Sequence, residues 1–521
     1  MVIYSGHFTP QRQPIPESTQ VLNSAGGYAW AVDQWKRLNR FLLLGAEGGT
    51  YYVNERTLTR ENAAALAQCL NDDPVRTIQT IVDISQEGRA PKNTPALFAL
   101  ALAAAHNQAD TRRLALANLT KVVRTGTHLF QFLEAVQVFR GWGRGLRSAV
   151  AHWYEGRDPD WIAYQVVKYR QRGGWTHADA LRLSHPISSL HDGLFKWIVD
   201  GELNSGCPQI VHQFAQLQNA QDEVTVVNLL EDNPLLTWEL VPDKFLTSST
   251  VWQAMLPNLP MTALIRNLGR LTVNKAVTVA NSDIVTARLI DQETLKRARI
   301  HPITILSALE TYRQGKGQRG HLEWIPLPQI EAALETAFYR SFGNIIPINK
   351  RIVLALDVSG SMGSGVIAGV PGLTPRVASA AMALVTARVE LQHHIIAFSH
   401  QMVPFEGEPW QRLADVTRFI DQTPMGGTDC ALPMIWALQN NIQADAFMVF
   451  TDSETWAGAI HPAQALQEYR LRTGIPAKLI VVAMTSNGFT IADPNDGGML
   501  DVVGFDTATP GLTTDFINGN L

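Results

Sequence analysis

Four short, uninterrupted runs of apolar residues in the last third of the chain constrain its fold more than any other feature. They begin at Ile352, His394, Ala446 and Lys478, and stretches with helical spacing separate them. A continuous apolar run is typical of a parallel strand that is buried on both faces. Strands that alternate with helices require right-handed crossovers. The sequence therefore predicts an α/β domain with a doubly wound parallel sheet over residues 344–521.

The segment before this sheet predicts a different class of structure. Between about residues 30 and 340, apolar residues recur at three-to-four spacing, and residues that break helices interrupt the pattern. Stretches of this kind include 61–70, 94–106, 111–123 and 129–138. So many amphipathic helices joined by short loops favour a helical solenoid over a single bundle. We therefore predict an α-helical domain over residues 1–343.

Oxygen-bearing side chains follow the strands of the predicted sheet. Asp357, Ser359 and Ser361 come directly after the first strand. Thr428 lies in a glycine-rich turn, and Asp452 ends a later strand. In an open α/β sheet, the loops beyond the carboxyl ends of the strands form the ligand site. Ligation by oxygen with few carboxylates suits Mg²⁺ first and Mn²⁺ second, and argues against zinc.

Together these five positions resemble the metal-ion-dependent adhesion site of von Willebrand factor A domains. The resemblance implies that one coordination position stays open for an acidic group of a partner. From Ser341 onward the chain has nine Lys or Arg against sixteen Asp or Glu, a balance that suits a protein partner better than RNA. The alternative is that the five residues only cap helices.

Charge, cysteine content and hydropathy narrow the class of protein. The 521 residues carry a net charge of −4, and residues 1–340 carry +3, from 34 Lys or Arg against 31 Asp or Glu. Specific patches, not bulk charge, must therefore hold any nucleic acid. Cys69, Cys207 and Cys430 are too far apart to suggest a disulfide framework. Without a signal-peptide pattern or a run of roughly 18 apolar residues, we expect a cytoplasmic protein with no membrane partner.

A local excess of positive charge lies between residues 140 and 185, with eight Lys or Arg against four Asp or Glu. Cations at helical spacing can follow a phosphate backbone, and aromatic side chains can stack on bases. The cations are Arg140, Arg144 and Arg147 on one predicted helical face, and Lys168 with Arg172. The aromatic residues are Tyr164, Tyr169, Trp175 and His177. The alternative is a solvated basic face.

A second basic stretch contains Arg313, Lys316 and Arg319. It includes a Gly-x-Gly-x-x-Gly pattern, but this follows a predicted helix over 302–312, whereas a dinucleotide-binding loop follows a strand. This stretch is therefore either a basic loop that contacts phosphates or a plain turn.

Several long motifs, in order, resemble the TROVE module of Ro ribonucleoproteins, in which a von Willebrand factor A domain follows a ring-shaped, HEAT-like helical repeat domain. The resemblance covers about residues 18–510 and is strongest to the bacterial members. The motifs begin at Gln34, Gly45, Gly141, Lys168, Leu181 and Pro260.

The resemblance implies a function in RNA quality control. Family members bind small noncoding Y RNA on the outer surface of the ring and single-stranded 3′ ends of misfolded or precursor RNA in its central hole. Family residues that contact Y RNA match Lys168, Arg172 and His185, and Arg170 stands where the vertebrate motif has lysine. An exoribonuclease such as polynucleotide phosphorylase is the implied protein partner.

We expect a monomer that binds RNA and is not an enzyme. Two alternatives belong to other classes. A metal-dependent nuclease would use the Asp357 site, but catalytic two-metal centres need several close carboxylates and a general base. A protein-interaction scaffold that docks through the metal would use the helices only as support, and the basic segments argue against it.

Overall fold

The computed structural model describes residues 8–47, 49–317, 321–342, 347–367, 373–404, 415–416, 419, 426–506 and 508–520. The helices over the first half of the chain are α1 (Gln34–Leu44), α2 (Glu55–Asp72), α3 (Pro74–Glu87), α4 (Thr94–Ala104), α5 (Ala109–Ala117), α6 (Leu119–Val122), α7 (Gly126–Phe139), α8 (Arg144–Glu155), α9 (Pro159–Lys168), α10 (His177–Ser184), α11 (Asp192–Asp200), α12 (Gln209–Gln218), α13 (Glu223–Asp232) and α14 (Ser249–Met255). The later helices are α15 (Met261–Val273), α16 (Asp283–Ile290), α17 (Gln292–Arg297), α18 (Pro302–Arg313), α19 (Pro328–Arg340), α20 (Pro375–Ala387), α21 (Leu432–Gln439), α22 (Pro462–Thr473) and α23 (Thr509–Asn518).

The strands are shorter and lie mostly in the last third of the chain. They are β1 (Val21–Leu22), β2 (Tyr28–Ala31), β3 (Gln171–Arg172), β4 (Trp175–Thr176), β5 (Ile352–Asp357), β6 (His393–Phe398), β7 (Met402–Val403), β8 (Ala446–Thr451), β9 (Lys478–Ala483), β10 (Phe489–Thr490) and β11 (Met499–Val503). Short 3₁₀ turns cover Trp238–Leu240, Asp243–Phe245 and Ser361–Gly363.

Contacts divide the chain into two compact units. The first contains Met1–Gln68, Arg89–Pro91 and Phe342–Leu521, and the second contains Cys69–Gly88 and Lys92–Ser341. The division predicted at residue 343/344 follows the order of the chain, whereas this grouping follows contacts. The two differ at residues 1–68, 89–91 and 342–343, which group by contacts with the α/β part.

The second unit is helical, and its helices pack on neighbours that are close in sequence. Packed pairs include α3 with α4, α4 with α7, α8 with α10, and α18 with α19. Local chemistry sets the helix ends: the Thr125 side chain accepts from the amide of His128 at the start of α7, and Thr176 and Asp179 form a capping box on α10. The stretch 111–123, predicted as one helix, is two helices, because the chain departs from helical geometry at Asn118.

A six-stranded sheet forms the centre of the first unit, in the order β11–β9–β8–β5–β6–β7. All its pairs are parallel except that of β6 with β7. Val353 and Ala355 share a core with residues of α21 and α22, while Leu354 and Leu356 are equally buried, as a sheet covered on both faces requires. The predicted parallel sheet is confirmed, and the four predicted runs form its four central strands. The sequence pattern did not predict strands β7 and β11, which form the two edges of the sheet.

The amino-terminal segment belongs to this unit through its backbone and its core. β2 pairs with β10, with Ala31 opposite Phe489 and Trp30 opposite Thr490. The Trp30 side chain joins the same buried cluster as the sheet residues. Within the described residues, none of the helices combines the length and hydropathy needed to cross a bilayer.

Candidate functional site

Neighbouring parallel strands bring the predicted metal ligands to one edge of the sheet. Asp357 is the last residue of β5, and Asp452 directly follows β8, which is the partner of β5. Ser361 begins a 3₁₀ turn after β5, and the amide of Gly360 donates to the carbonyl oxygen of Gly426 at 3.1 Å, which joins this loop to the one that carries Thr428. All five predicted ligands are at most 5% exposed.

Hydrogen bonds hold four of the five side chains in one cluster. The amide of Ser359 donates to Asp357 Oδ1 at 2.9 Å, and the Ser359 and Ser361 hydroxyl oxygens are 3.2 Å apart. The Ser361 hydroxyl also bonds the Asp452 carboxylate. On the neighbouring loop, the carbonyl oxygen of Thr428 accepts from the amide of Trp456 at 3.0 Å.

The electrostatics of this cluster fit a cation. Burial raises the pKa of Asp357, and burial, followed by the negative charges of Asp357 and Glu454, raises the pKa of Asp452 well above its usual range. Arg376 approaches the cluster, and its Nη2 donates to the carbonyl oxygens of Val358 and Ser359, at 2.6 and 3.1 Å. Two buried carboxylates beside two hydroxyls are an oxygen donor set that a divalent cation neutralises.

Sequence reasoning missed the residues that orient these ligands. The Thr451 hydroxyl donates to Asp357 Oδ2 at 2.7 Å, and the amide of Glu454 donates to Asp452 Oδ1 at 3.1 Å. Gln11 makes none of its described hydrogen bonds to the five ligands, but it is fully buried and its Nε2 donates at 2.7 Å to Oδ1 of Asp429, the residue that follows Thr428. Thr451 and Glu454 flank Asp452 in sequence and could have been suspected, whereas nothing local points to Gln11.

Part of the predicted basic surface lines one cavity in the helical unit. The cavity has a volume of about 510 Å³, and Lys168, Arg170 and Arg172 line it together with Phe214 and Glu239. Lys168 ends α9, Arg170 directly precedes β3, and Arg172 lies on the hairpin of β3 and β4. The structure thus brings these three predicted residues together.

The three cations are held differently. The Lys168 side chain is only 8% exposed, and its Nζ lies 2.8 Å from the Tyr164 hydroxyl and 3.9 Å from Glu239 Oε1. Arg170 is exposed, and its guanidinium lies 5.7 Å from the centre of the Phe214 ring. Arg172 is exposed on β3. Lys168 therefore contributes charge from within the wall, while the two arginines are accessible.

Two of the four aromatic residues predicted to stack on bases are buried, so that part of the prediction is wrong. Trp175 is 7% and His177 is 2% exposed. His177 Nδ1 lies 2.8 Å from the Tyr154 hydroxyl, and burial lowers the pKa of His177 to about 3. Trp175 packs against Trp142, and His177 packs against Phe130 and Trp153, so both rings belong to the interior of the helical unit. Tyr164 and Tyr169 are half-buried.

Arg140, Arg144 and Arg147 do not share one helical face, contrary to the prediction. Arg140 is the carboxy-terminal cap of α7, and its Nη1 donates to the carbonyl oxygen of Ala104 at 2.6 Å. The glycines at 141 and 143 interrupt the helix, and α8 begins at Arg144. Arg144 and Arg147 are exposed in the first turns of α8, where positive charge is unfavourable to the helix dipole.

The remaining predicted RNA contacts lie apart from the cavity lining. His185 is exposed at the carboxy-terminal end of α10 with a left-handed backbone (φ 50°). Arg313 makes ion pairs with three carboxylates, at 3.1 Å to Glu310, 3.4 Å to Glu331 and 3.9 Å to Glu335. Lys316 is exposed after α18. Arg319 lies outside the described residues.

Comparison with known proteins identifies the family. The sequence matches the family model described as the TROVE domain over residues 21–221 and 233–311, and the one described as the Ro60 vWA domain over residues 351–517. A curated relative from Deinococcus radiodurans, named RNA-binding protein RO60, is 41% identical over 98% of this chain and 98% of its own length. The chain belongs to the Ro60 family.

Other members of the Ro60 family agree with this assignment. A relative from Caenorhabditis elegans, also named RNA-binding protein RO60, is 33% identical over 98% of this chain and 92% of its own length. The crystal structure of the Deinococcus radiodurans RO (RSR) protein is 40% identical, with a TM-score of 0.70, and the match covers 94% of this chain and 100% of that chain. The predicted fold class, a helix-rich part followed by a von Willebrand factor A domain with a parallel sheet, is confirmed.

Proposed function

We propose that this protein binds RNA through its helical unit and catalyses no reaction. One observation carries the proposal: Lys168, Arg170 and Arg172 line a single cavity in a chain whose relatives, over almost its whole length, are named RNA-binding proteins. Phosphate contacts from Lys and Arg supply most of the affinity in such a site, and single strands are read by shape and stacking. Arg144, Arg147 and His185 are exposed elsewhere on the same unit, where they are available for further phosphate contacts.

The sequence resemblance extends the proposal to particular RNAs. The outer surface that includes Lys168, Arg172 and His185 holds a small noncoding Y RNA, and a central hole of the ring accepts single-stranded 3′ ends of misfolded or precursor RNA. The protein then acts in RNA quality control as a cytoplasmic monomer that presents RNA to an exoribonuclease such as polynucleotide phosphorylase.

Substitution of the cavity cations tests the RNA site. The variant Lys168→Met/Arg172→Met/His185→Gln should bind an RNA with a duplex stem and a single-stranded 3′ end at least about 30-fold more weakly, since each lost charge-assisted contact costs on the order of 1 kcal/mol or more. Filter binding at several NaCl concentrations measures this. Methionine keeps the packing volume of the Lys168 stem.

The matched control removes two exposed cations of the same unit, as Lys296→Ala/Arg297→Ala on α17, which packs against α16 and α19 and not against the helices that carry Lys168 and His185 among the described contacts. It should change the affinity less than about two-fold, the effect of a distant surface charge. Equal losses in both variants, or binding of the RNA no tighter than that of a simple polyanion, would remove the basis of the proposal.

A second function belongs to the Asp357 cluster. We propose that Asp357, Ser359, Ser361, Thr428 and Asp452 bind a divalent cation, Mg²⁺ or Mn²⁺, and that the ion docks an acidic group of a protein partner. The buried, oxygen-only donor set supports this. If the protein still binds RNA in EDTA but no longer captures the protein partner, then the helical unit binds the RNA and the metal ion mediates docking of the partner.

The donor set also supports the absence of catalysis. Hydroxyls outnumber carboxylates among the proposed ligands, whereas catalytic two-metal centres need several close carboxylates. A labelled RNA incubated with the purified protein and Mg²⁺ should stay intact. Sustained cleavage that Asp357→Ala abolishes would make the protein a nuclease.

A further inference from the structure

Arg40 belongs to a motif that the resemblance assigns to the helical RNA-binding module, yet its side chain is buried in the α/β unit. It lies in α1 and is fully buried. Its Nη1 donates to Asn487 twice, at 3.0 Å to the carbonyl oxygen and 3.2 Å to Oδ1, and at 2.8 Å to the carbonyl oxygen of Phe489. Its Nη2 donates to Asp501 Oδ1 on β11 at 2.6 Å. This arginine therefore does not face RNA.

Asn487 continues this chain of hydrogen bonds to the proposed metal loop. Because Oδ1 accepts from Arg40, the amide group of Asn487 is turned the other way. Its Nδ2 donates to the carbonyl oxygen of Asp452 at 2.7 Å and to Glu454 Oε1 at 3.2 Å. The asparagine is 2% exposed, so water cannot replace either bond.

Glu454 closes the network on its other side. Its Oε2 accepts from the amide of Ala25 at 3.2 Å, and its own amide donates to Asp452 Oδ1 at 3.1 Å. Asn23 Nδ2 donates to the carbonyl oxygen of Thr455, the next residue, at 2.8 Å. The loop 452–455 is therefore held from one side by residues 23–25 and from the other by Asn487 and Arg40.

We propose that Arg40 and Asn487 are positioning residues of the metal site, and that the amino-terminal motif around α1 serves the cation at Asp357 and Asp452 instead of RNA. The proposal rests on the metal site proposed above. Neither residue contacts the cation. Arg40 orients the Asn487 amide, and Asn487 holds the backbone of Asp452, which sets the direction of its carboxylate.

A buried network of this kind raises the affinity for the metal ion by fixing the orientation of the ligands. The groups that orient metal ligands typically contribute about 10–100-fold to metal affinity, because a ligand that is free to turn must be ordered when the ion binds. Coupling is reciprocal, so that an ion bound at Asp452 also restrains α1. A merely structural role would stabilise the fold without changing either property.

The test uses the full-length protein and Mn²⁺ as the probe, with free Mn²⁺ measured by electron paramagnetic resonance. Asn487→Leu keeps the size of the side chain and removes both hydrogen bonds to the loop, and we expect its Kd for Mn²⁺ to rise about 10-fold or more. Arg40→Lys keeps the charge beside Asp501 but cannot make all four bonds, and should give a smaller rise. Circular dichroism in EDTA verifies that each variant is folded.

The matched control is Arg351→Lys, which weakens another Arg–Asp pair of the same unit. Arg351 Nη2 lies 2.7 Å from Asp445 Oδ1, before β5 and β8 and so at the opposite end of the strands from Asp357. Its Kd for Mn²⁺ should be unchanged. In hydrogen–deuterium exchange, saturating Mn²⁺ should slow exchange in α1 of the unchanged protein and have no such effect in Asn487→Leu.

The outcomes separate this inference from the metal site itself. If the unchanged protein binds Mn²⁺, Asp357→Ala abolishes binding, and folded Asn487→Leu or Arg40→Lys binds with the same Kd as the control, the positioning role is wrong and the metal site stands. If Asn487→Leu does not fold, Arg40→Lys alone decides by the same criterion. If the unchanged protein binds no Mn²⁺, both proposals are wrong.

Discussion

The proposed metal site and the basic surface differ in how their side chains are held. The metal ligands are buried at the ends of adjacent strands, and hydrogen bonds from neighbouring backbone or hydroxyl groups hold them. Arg170, Arg172 and His185 lie exposed just before a hairpin, on that hairpin and at a helix end. A small cation needs donors held at fixed distances, whereas an RNA backbone needs charge that can adapt to it.

Removal of the Asp357 carboxylate should have the largest effect, and it tests whether the metal site and the basic surface act independently. Asp357→Ala removes a carboxylate that the Ser359 amide and the Thr451 hydroxyl both orient. Metal affinity should fall by more than about 100-fold, beyond the loss expected for an orienting group alone. RNA affinity, measured by filter binding on the same preparation, should stay within about two-fold, as for a distant surface charge. A parallel loss of RNA binding would show that the two regions act as one site.

Acid pH should loosen the region beneath the basic cavity. Burial, followed by the charges of Arg124 and Arg172, lowers the pKa of His128 from 6.5 to about 3, and burial lowers the pKa of His177 from 6.5 to about 3. The unfolded chain takes up these protons below pH 6.5, while the folded chain takes them up only near pH 3. The free energy of unfolding therefore falls as the pH is lowered through this window, by about 2 kcal/mol per histidine at pH 5.

Hydrogen–deuterium exchange of α7 and α10 at pH 7 and pH 5, corrected for the intrinsic rate, measures this effect. His177→Gln keeps a polar partner for Tyr154 and should remove part of the pH dependence. The control His152→Gln changes an exposed histidine and should not. Identical profiles in all three proteins would refute the assignment of buried, neutral histidines.

The exposed arginines of α8 should have a smaller effect than the cavity cations. Arg144→Ala/Arg147→Ala is expected to weaken RNA binding about 10-fold and to lower the slope of log affinity against log salt by about 1.5, as the loss of two phosphate contacts predicts. The helix itself should become no less stable, because both cations oppose its dipole. An unchanged slope would remove these two residues from the RNA surface.

Substitution of Arg313 should have the smallest effect on RNA affinity, and it tests where the RNA-binding basic surface ends. Arg313 faces Glu310, Glu331 and Glu335, so that its charge is already balanced within the helical unit. Arg313→Met should leave RNA affinity within about two-fold, the range of a screened distant charge, while lowering the melting temperature. A loss comparable to that of the cavity variant would mean that the ion pairs open when RNA binds.

The sequence alone determined the order of the structural classes and the edge of the sheet at which the proposed ligands lie. Apolar runs such as 352–356 predict buried strands because apolar burial has a local signature, and residues directly after such strands must meet at one edge. The same reasoning failed where polar groups interrupt the pattern. β11 carries a buried aspartate, Asp501, at its centre, and its sequence gives no sign of a strand because the partner of this charge, Arg40, is 461 residues away in sequence.

Only the tertiary structure decided which cations are accessible and which polar residues support the site. The 140–185 segment has an excess of positive charge in sequence, yet Lys168 is largely covered, Arg140 caps a helix against Ala104, and Trp175 lies in the core. Periodicity records where apolar side chains are buried but not which distant group satisfies a buried donor or acceptor. For that reason the sequence located Asp452, and the fold was needed to find Asn487 and Arg40 behind it.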